Sequence, residues 1–121
     1  MPAPLPWFTF RDPDGRAWKV GLSCADDSPA LTDAHGWTYF ASGTVLLDVE
    51  ESREHQDAIA LHEMMHVAFG LGRDAAEERI ITRLAPRLLP ILKQFGLRFP
   101  RRPRGVAALE RRARESEDDL D

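Results

Sequence analysis

Two histidines and a glutamate lie in a pattern that can hold and use a metal ion, His62-Glu63-Met64-Met65-His66. On an α-helix, residues four apart lie one turn apart on the same face, so both imidazoles can address one ion. Zinc accepts imidazole nitrogens at about 2.0–2.1 Å in a tetrahedral site. Glu63 lies about 100° round the helix from His62, from where it can reach a water molecule at the metal. The pattern therefore predicts a zinc site with Glu63 as general base.

A catalytic zinc usually has three protein ligands and one open position, so a third ligand is needed. Asp74, Glu77 and Glu78 are candidates because they begin the next helical segment. Glu77 falls on the line of the apolar residues of that segment, whereas Glu78 lies about 100° away, at the rim. A carboxylate on an inward face is costly unless it is paired. We therefore predict Glu77 as the third ligand, Glu78 as the alternative and Asp74 after it. All three could instead be first-turn acids that complement the helix dipole.

The segment that carries the motif has the signals of a helix start and a helix end. Ser52 is a good N-cap, and Gly70 suits the sharp reversal that ends a helix. Asp74 is the expected N-cap of a second helix, in which apolar residues recur at helical spacing. Pro86 and Pro90 fall on the outer side of this helix, so it either continues with a kink or breaks there.

Short runs of aromatic, aliphatic and β-branched residues before the motif predict strands. Residues 7–22 are predicted to form a β-hairpin, with Asp12-Pro13-Asp14-Gly15 as its turn. Residues 37–40 and 44–49 have the composition of two further strands, and the second leads directly into the motif helix. We therefore expect an α+β fold, in which a small antiparallel or mixed sheet packs on the motif helix and a second helix.

The composition indicates a soluble globular protein. The chain has 121 residues, of which 43% are hydrophobic and 30% charged, and a net charge of -4. This length suits one domain, and the negative charge makes nucleic acid an unlikely partner. No signal-peptide pattern and no apolar run near the roughly 20 residues of a membrane span are present. We expect a cytoplasmic protein that acts on a peptide or protein substrate and has no membrane partner.

The charge pattern divides the chain near residue 97. We expect residues 1–97 to form the single domain that holds the metal. Residues 98–121 are expected to be a charged, flexible tail, because arginines separated by prolines are followed by an acidic end.

The single cysteine and the two histidines outside the motif could also bind a metal, but we interpret them as structural or solvated. Cys24 is the only cysteine and lies far from the motif, so we interpret it as a structural thiol. His35 lies in a loop-like segment and is interpreted as solvated. His55 shares a helix face with His62, but seven residues rise about 10.5 Å along the axis. This distance is too long for His55 to share an ion with His62.

The motif and the strand before it, Thr44-Val45-Leu46-Leu47-Asp48, resemble the zincin-like metallopeptidases, over about residues 37–95. Among these, the chain looks most similar to small bacterial and phage-borne domains of ImmA/IrrE and SprT-like type. The resemblance implies a minimal zincin-like domain with an edge strand above the cleft and a glutamate-bearing second helix. It also implies that His62 and His66 are zinc ligands, that Glu63 is the general base, and that Glu77 or Glu78 supplies the third ligand.

The chain also departs from known groups. A metzincin would have glycine and histidine at the positions of Phe69 and Gly72, so that group is excluded. The YbeY-type endoribonucleases also place two histidines four apart, but they have a third histidine where Gly72 stands. Two alternatives to a zinc-dependent peptidase therefore stay open: a metal-dependent endoribonuclease of this type, and a metal-binding module without catalysis.

Overall fold

The computed structural model describes residues 3–32, 34–70 and 74–118 of the chain. In these ranges, four strands come first along the sequence and three α-helices follow them. The strands are β1 (Leu5–Arg11), β2 (Ala17–Ser23), β3 (Gly36–Tyr39) and β4 (Thr44–Asp48), and a short 3-10 helix (Pro29–Thr32) precedes β3. The helices are α1 (Arg53–Phe69), α2 (Ala75–Gln94) and α3 (Val106–Asp118). The expected α+β class is confirmed.

The four strands form one mixed sheet in the order β1-β2-β4-β3. β1 and β2 form the expected antiparallel hairpin, and β3 and β4 are also antiparallel. β2 and β4 are parallel, so the central pair joins the two hairpins into a mixed sheet. β3 therefore lies at an edge of the sheet, with one side of its backbone unpaired by any other strand of the sheet.

The turn of the first hairpin is stabilised by Asp12, whose carboxylate accepts hydrogen bonds from the backbone of Asp14 and Arg16 at 2.9 and 3.0 Å. The indole N–H of Trp18 also donates to this carboxylate at 3.0 Å, and this bond lowers the pKa of Asp12. Gly15 adopts a φ of 87°, the left-handed conformation that glycine adopts without steric cost. The predicted turn residues therefore act as expected.

Helix α1 has the expected caps. The Ser52 side chain accepts a hydrogen bond from the backbone N–H of His55, and Gly70 ends the helix with a φ of 72°. One side of α1 packs on β3 and β4, and another side packs on α2. The helix that carries the motif therefore lies between the sheet and the second helix.

Two groups of apolar residues fill the interior. The larger one lies on the sheet side, and its most buried large side chains are Trp18, Leu22 and Leu47. Cys24 belongs to this group, and burial raises the pKa of its thiol, which agrees with a structural role. The smaller group joins α1 to α2 through Leu61, Ile81, Ala85 and Leu89.

Helix α2 runs without a break from Ala75 to Gln94 and includes both prolines. Pro86 and Pro90 are exposed, so their rings lie away from the packed face. This arrangement decides between the two sequence interpretations in favour of a continuous helix. In the described ranges, no helix combines the length and apolar character that a membrane crossing requires.

The C-terminal segment differs from the expected flexible tail. Residues 106–118 form α3, and Val106 and Ala113 are buried in the sheet-side core. The Arg112 guanidinium pairs with Asp27, and the Trp7 indole N–H donates to the Pro100 carbonyl at 2.9 Å. The segment is therefore packed on the domain as far as Ala113. The acidic end at residues 119–121 lies outside the described residues.

Candidate metal centre

The middle of α1 supplies three of the side chains that could contact a metal. His62 and His66 lie on the same helix face, with ring centroids 5.1 Å apart. One ligand atom from each of His62, Glu63 and His66 lies within 4.8 Å of the others. His66 is fully buried and Glu63 is 2% exposed, whereas the His62 side chain is partly open at 19%. The site thus has a closed inner side at His66 and an open side at His62.

Glu63 is held between the sheet and the histidines. Thr38 on β3 donates its hydroxyl hydrogen to Glu63 Oε1 at 2.9 Å. The other carboxylate oxygen, Oε2, lies 3.7 Å from His62 Nε2. Glu63 therefore lies beside the histidine pair, with one oxygen on the side of the sheet and one on the side of the imidazoles.

The first turn of α2 brings two more carboxylates to the same place. The Asp74 side chain accepts a hydrogen bond from the backbone N–H of Glu77 at 2.7 Å, so Asp74 is the N-cap, as the sequence predicts. This contact fixes the start of α2, whose first turn faces α1. Glu77 and Glu78 are neighbours in sequence, but they reach opposite sides of the His66 ring.

Glu77 is only 4% exposed, and its Oε2 lies 2.6 Å from Nδ1 of His66. An imidazole that donates its Nδ1 hydrogen to a carboxylate keeps a lone pair on Nε2, which is the nitrogen left for a metal. If His66 donates its Nδ1 hydrogen to Glu77, this contact orients the ring and leaves Nε2, on the side of Glu78, for a metal.

Glu78 lies on the shared side of the two rings. Its Oε1 is 3.1 Å from His62 Nε2, and its Oε2 is 2.6 Å from His66 Nε2. The Glu78 side chain is 46% exposed and lines the cleft, so it lies at the solvent-accessible side of the site. One carboxylate thus contacts the Nε2 atoms of both motif histidines.

The sequence-predicted residues therefore come together, but the two glutamates have different surroundings. The helical wheel predicts the burial of Glu77, and that burial places its carboxylate at Nδ1 of His66. The rim position of Glu78 places its carboxylate beside Nε2 of both motif histidines. Sequence reasoning missed Thr38, for which the alternation of strand β3 was the only available signal.

The donor set fits a zinc ion. Donor atoms around a tetrahedral ion with bonds of about 2.0–2.1 Å lie about 3.3–3.4 Å apart, close to the 3.1 Å between His62 Nε2 and Glu78 Oε1. If the Nδ1 hydrogen of His66 points to Glu77, then His66 Nε2 and Glu78 Oε2 are both acceptors at 2.6 Å. Two acceptors this close need a proton between them, and as ligands of one tetrahedral zinc ion they would lie about 0.7 Å further apart. Three carboxylates surround the two imidazoles, and this excess of acidic groups favours a bound cation.

A cleft of about 660 Å³ lies along the open side of these residues. Its walls come from β3, α1 and α2, and they are mainly apolar between the site residues. The lining includes His62, Glu63 and Glu78, together with Gly36, Trp37, Ala58, Ile59, Ala85 and Pro86. The cleft is therefore bordered by the edge strand of the sheet and by the candidate metal ligands.

A second histidine cluster lies at the far end of the cleft, and we call it the cleft-mouth cluster: His35, Glu51 and His55. His35 Nδ1 is 2.5 Å from Glu51 Oε1, and His55 Nδ1 is 2.6 Å from Glu51 Oε2. Both histidines also line the cleft. The expectation that His55 does not share an ion with His62 agrees with this arrangement, because its ring contacts Glu51 and His35 instead.

No protein-family model, curated protein or solved structure matches this chain. The function is therefore argued from the geometry of the site.

Proposed function

We propose that this chain is a zinc-dependent metallopeptidase that hydrolyses peptide bonds. The observation that carries the proposal is the approach of one carboxylate, Glu78, to Nε2 of both His62 and His66, with Glu63 directly beside them. Two imidazoles, one carboxylate ligand and a separate carboxylate near an open cleft are the parts that a peptidase of this kind uses.

We assign the three metal ligands to His62, His66 and Glu78. Glu77, the ligand that the sequence favours, becomes the residue that orients His66 by accepting its Nδ1 hydrogen. This assignment rests on the nitrogen that each glutamate contacts, since a ring whose Nδ1 hydrogen is bonded coordinates through Nε2. Asp74 is left as the cap of α2, where its carboxylate accepts the Glu77 N–H.

Zinc, when bound, supplies a Lewis acid that polarises a carbonyl oxygen and lowers the pKa of water towards about 7. Glu63 is the general base: it takes a proton from the attacking water and gives it to the amine nitrogen that leaves. Its Oε2 lies 3.7 Å from His62 Nε2, so the carboxylate is next to this ligand but beyond hydrogen-bond distance of that nitrogen.

The edge strand β3 is the surface on which an extended peptide would bind. It borders the cleft through Gly36 and Trp37, and no other strand of the sheet pairs with its outer side. An added strand would gain main-chain hydrogen bonds there, and its side chains would alternate between the cleft and solvent. The apolar walls at Ala58, Ile59 and Ala85 favour substrates with an apolar side chain near the cleaved bond.

The test is to incubate the zinc-loaded wild type, Glu63→Gln and Glu54→Gln with a mixed peptide library and to identify new termini by mass spectrometry. Glu54→Gln is the matched control, because Glu54 lies on the same helix but in its exposed first turn. We expect cleavage by the wild type and Glu54→Gln, and a loss of about 10²–10⁴-fold in Glu63→Gln, since general-base catalysis contributes about that much.

Equal cleavage by all three proteins would indicate a contaminating peptidase and would contradict the proposal. Cleavage of a structured RNA by the wild type, with no cleavage of peptides, would replace the proposal with the endoribonuclease alternative. Zinc binding without cleavage of either substrate would favour a metal-binding module.

A further inference from the structure

Strand β3 approaches α1 closely enough to leave no room for a side chain at Gly36. A Cβ atom at this position would lie 2.7 Å from Cγ2 of Ile59 and 3.1 Å from Cγ of Glu63. Gly36 has no positive φ, so the reason for glycine here is space and not backbone conformation. The strand and the motif helix are therefore in direct contact at Glu63.

Thr38 lies two residues further along β3, on the same face as Gly36, because side chains alternate along a strand. Gly36 and Thr38 are buried, whereas Trp37 and Tyr39 between and after them are more exposed. The close approach at Gly36 thus brings the Thr38 hydroxyl to the Glu63 carboxylate.

The hydrogen bond between Thr38 and Glu63 lies in the interior. Thr38 is 3% exposed, Glu63 is 2% exposed, and the hydroxyl lies 2.9 Å from Oε1. A bond to Oε1 restricts rotation of the carboxylate about its last torsion, which is otherwise broad. Oε2 is then held on the side of His62, where a base must act.

We propose that Thr38 is a positioning residue for Glu63, and that Gly36 makes its contact possible by letting β3 approach α1. The inference rests on the proposed peptidase function and deepens it. Strand β3, on which the substrate would bind, would then also orient the general base. The substrate-binding edge and the base would therefore depend on one rigid element.

The test compares Thr38→Val, Thr38→Ser and Thr44→Val in the zinc-loaded full chain. Valine has nearly the shape of threonine but no hydroxyl, and serine restores the hydroxyl. Thr44 on β4 is the matched control, because its hydroxyl has only a 3.5 Å contact with the Ser42 carbonyl. Zinc content is measured for each variant, then kcat and KM on a peptide that the wild type cleaves, and the affinity for acetohydroxamate by calorimetry.

We expect Thr38→Val to lower kcat by about 10²-fold, since a misplacement of about 1 Å can have this effect, with KM changed less than about threefold. Thr38→Ser should recover most of the loss, and Thr44→Val should match the wild type. Acetohydroxamate chelates zinc and gives a hydrogen bond to the base. It should therefore bind about tenfold more weakly to Thr38→Val, while zinc content stays unchanged.

The positioning role would be overturned if kcat were unchanged in Thr38→Val. It would also be overturned if Thr38→Ser and Thr44→Val lost as much kcat as Thr38→Val does. If Thr38→Val does not fold, Gly36→Ala takes its place: it keeps the hydroxyl but pushes the strand from Glu63, and a wild-type kcat there would also overturn the inference. If the wild type cleaves no peptide, the proposed function fails, and the affinity for acetohydroxamate alone then tests whether Thr38 positions Glu63. Equal affinities of wild type and Thr38→Val would then contradict it, as would a wild type that binds no hydroxamate.

Discussion

Two clusters in the molecule each have a pair of histidines that contacts one glutamate, and α1 supplies His55 to one of them and His62 and His66 to the other. In the cleft-mouth cluster, both histidines reach Glu51 through Nδ1, and their side chains are 64% and 53% exposed. In the inner cluster, His62 and His66 reach Glu78 through Nε2, and the His66 side chain is fully buried. The two clusters therefore contain nearly the same residue types, but they differ in burial and in the histidine nitrogen that contacts the glutamate.

The second carboxylate explains the difference. At the cleft mouth, each neutral imidazole can donate its Nδ1 hydrogen to Glu51, so the cluster is satisfied without an added cation. In the inner cluster, His66 has carboxylate oxygens at 2.6 Å from both ring nitrogens. A neutral imidazole has one hydrogen to donate, so the second of these contacts needs either a second ring proton or a metal cation in its place. The glutamates on the two sides of the buried His66, and not the number of histidines, are therefore the reason for proposing the metal site at the inner cluster.

The largest expected effect is the loss of metal from the inner cluster. His66→Ala should reduce zinc from about one ion per chain to nearly none, because it removes a ligand from a site with three protein ligands. His55→Ala is the matched control on the same helix and should keep the wild-type content. Elemental analysis after dialysis measures both. Equal zinc loss in the two variants would remove the distinction between the clusters.

The next effect separates the two glutamates of α2. Glu78→Gln should weaken zinc binding by more than 10²-fold, because it removes a charged ligand, whereas Glu77→Gln should weaken it by about 10–100-fold, as is typical for a residue that orients a ligand. Competition with a chromogenic chelator gives both affinities. A weaker affinity in Glu77→Gln than in Glu78→Gln would reverse the assignment and restore the sequence prediction.

The smallest effect is expected at the cleft mouth. Glu51→Gln removes the carboxylate that His35 and His55 share, but exposed pairs of this kind contribute about 0–1 kcal/mol to the free energy of unfolding. We expect little change in Tm and none in zinc content. Thermal unfolding of the zinc-loaded protein measures the first, and elemental analysis the second. A loss of zinc in this variant would show that the cleft-mouth cluster takes part in metal binding.

Local signals were enough to predict much of the fold. Ser52, Gly70 and Asp74 act as helix caps, and the turn around Gly15 joins the first two strands, because caps and turns depend on a few neighbouring residues. The spacing of His62 and His66 likewise requires only a regular helix. These features could be read from the chain because nothing distant decides them.

Features that depend on how elements pack could not be read in the same way. The helical wheel predicted that Glu77 faces inward. The relative position of α1 and α2, however, decides which ring nitrogen of His66 each glutamate contacts. The burial of α3 was missed because charged residues dominate its sequence, although Val106, Leu109 and Ala113 form a thin apolar stripe that packs on the sheet-side core. The contact of Thr38 with Glu63 depends on the close approach at Gly36, which has no local signature.

The most direct test of the account is the position of zinc in crystals of the protein reconstituted with one equivalent of the metal. An anomalous difference map at the zinc absorption edge locates the ion without reference to any assumed ligand. We predict a single strong peak bonded to Nε2 of His62, Nε2 of His66 and a carboxylate oxygen of Glu78, at about 2.0–2.2 Å. A peak at His35, Glu51 and His55, or no peak at His62 and His66, would contradict the account.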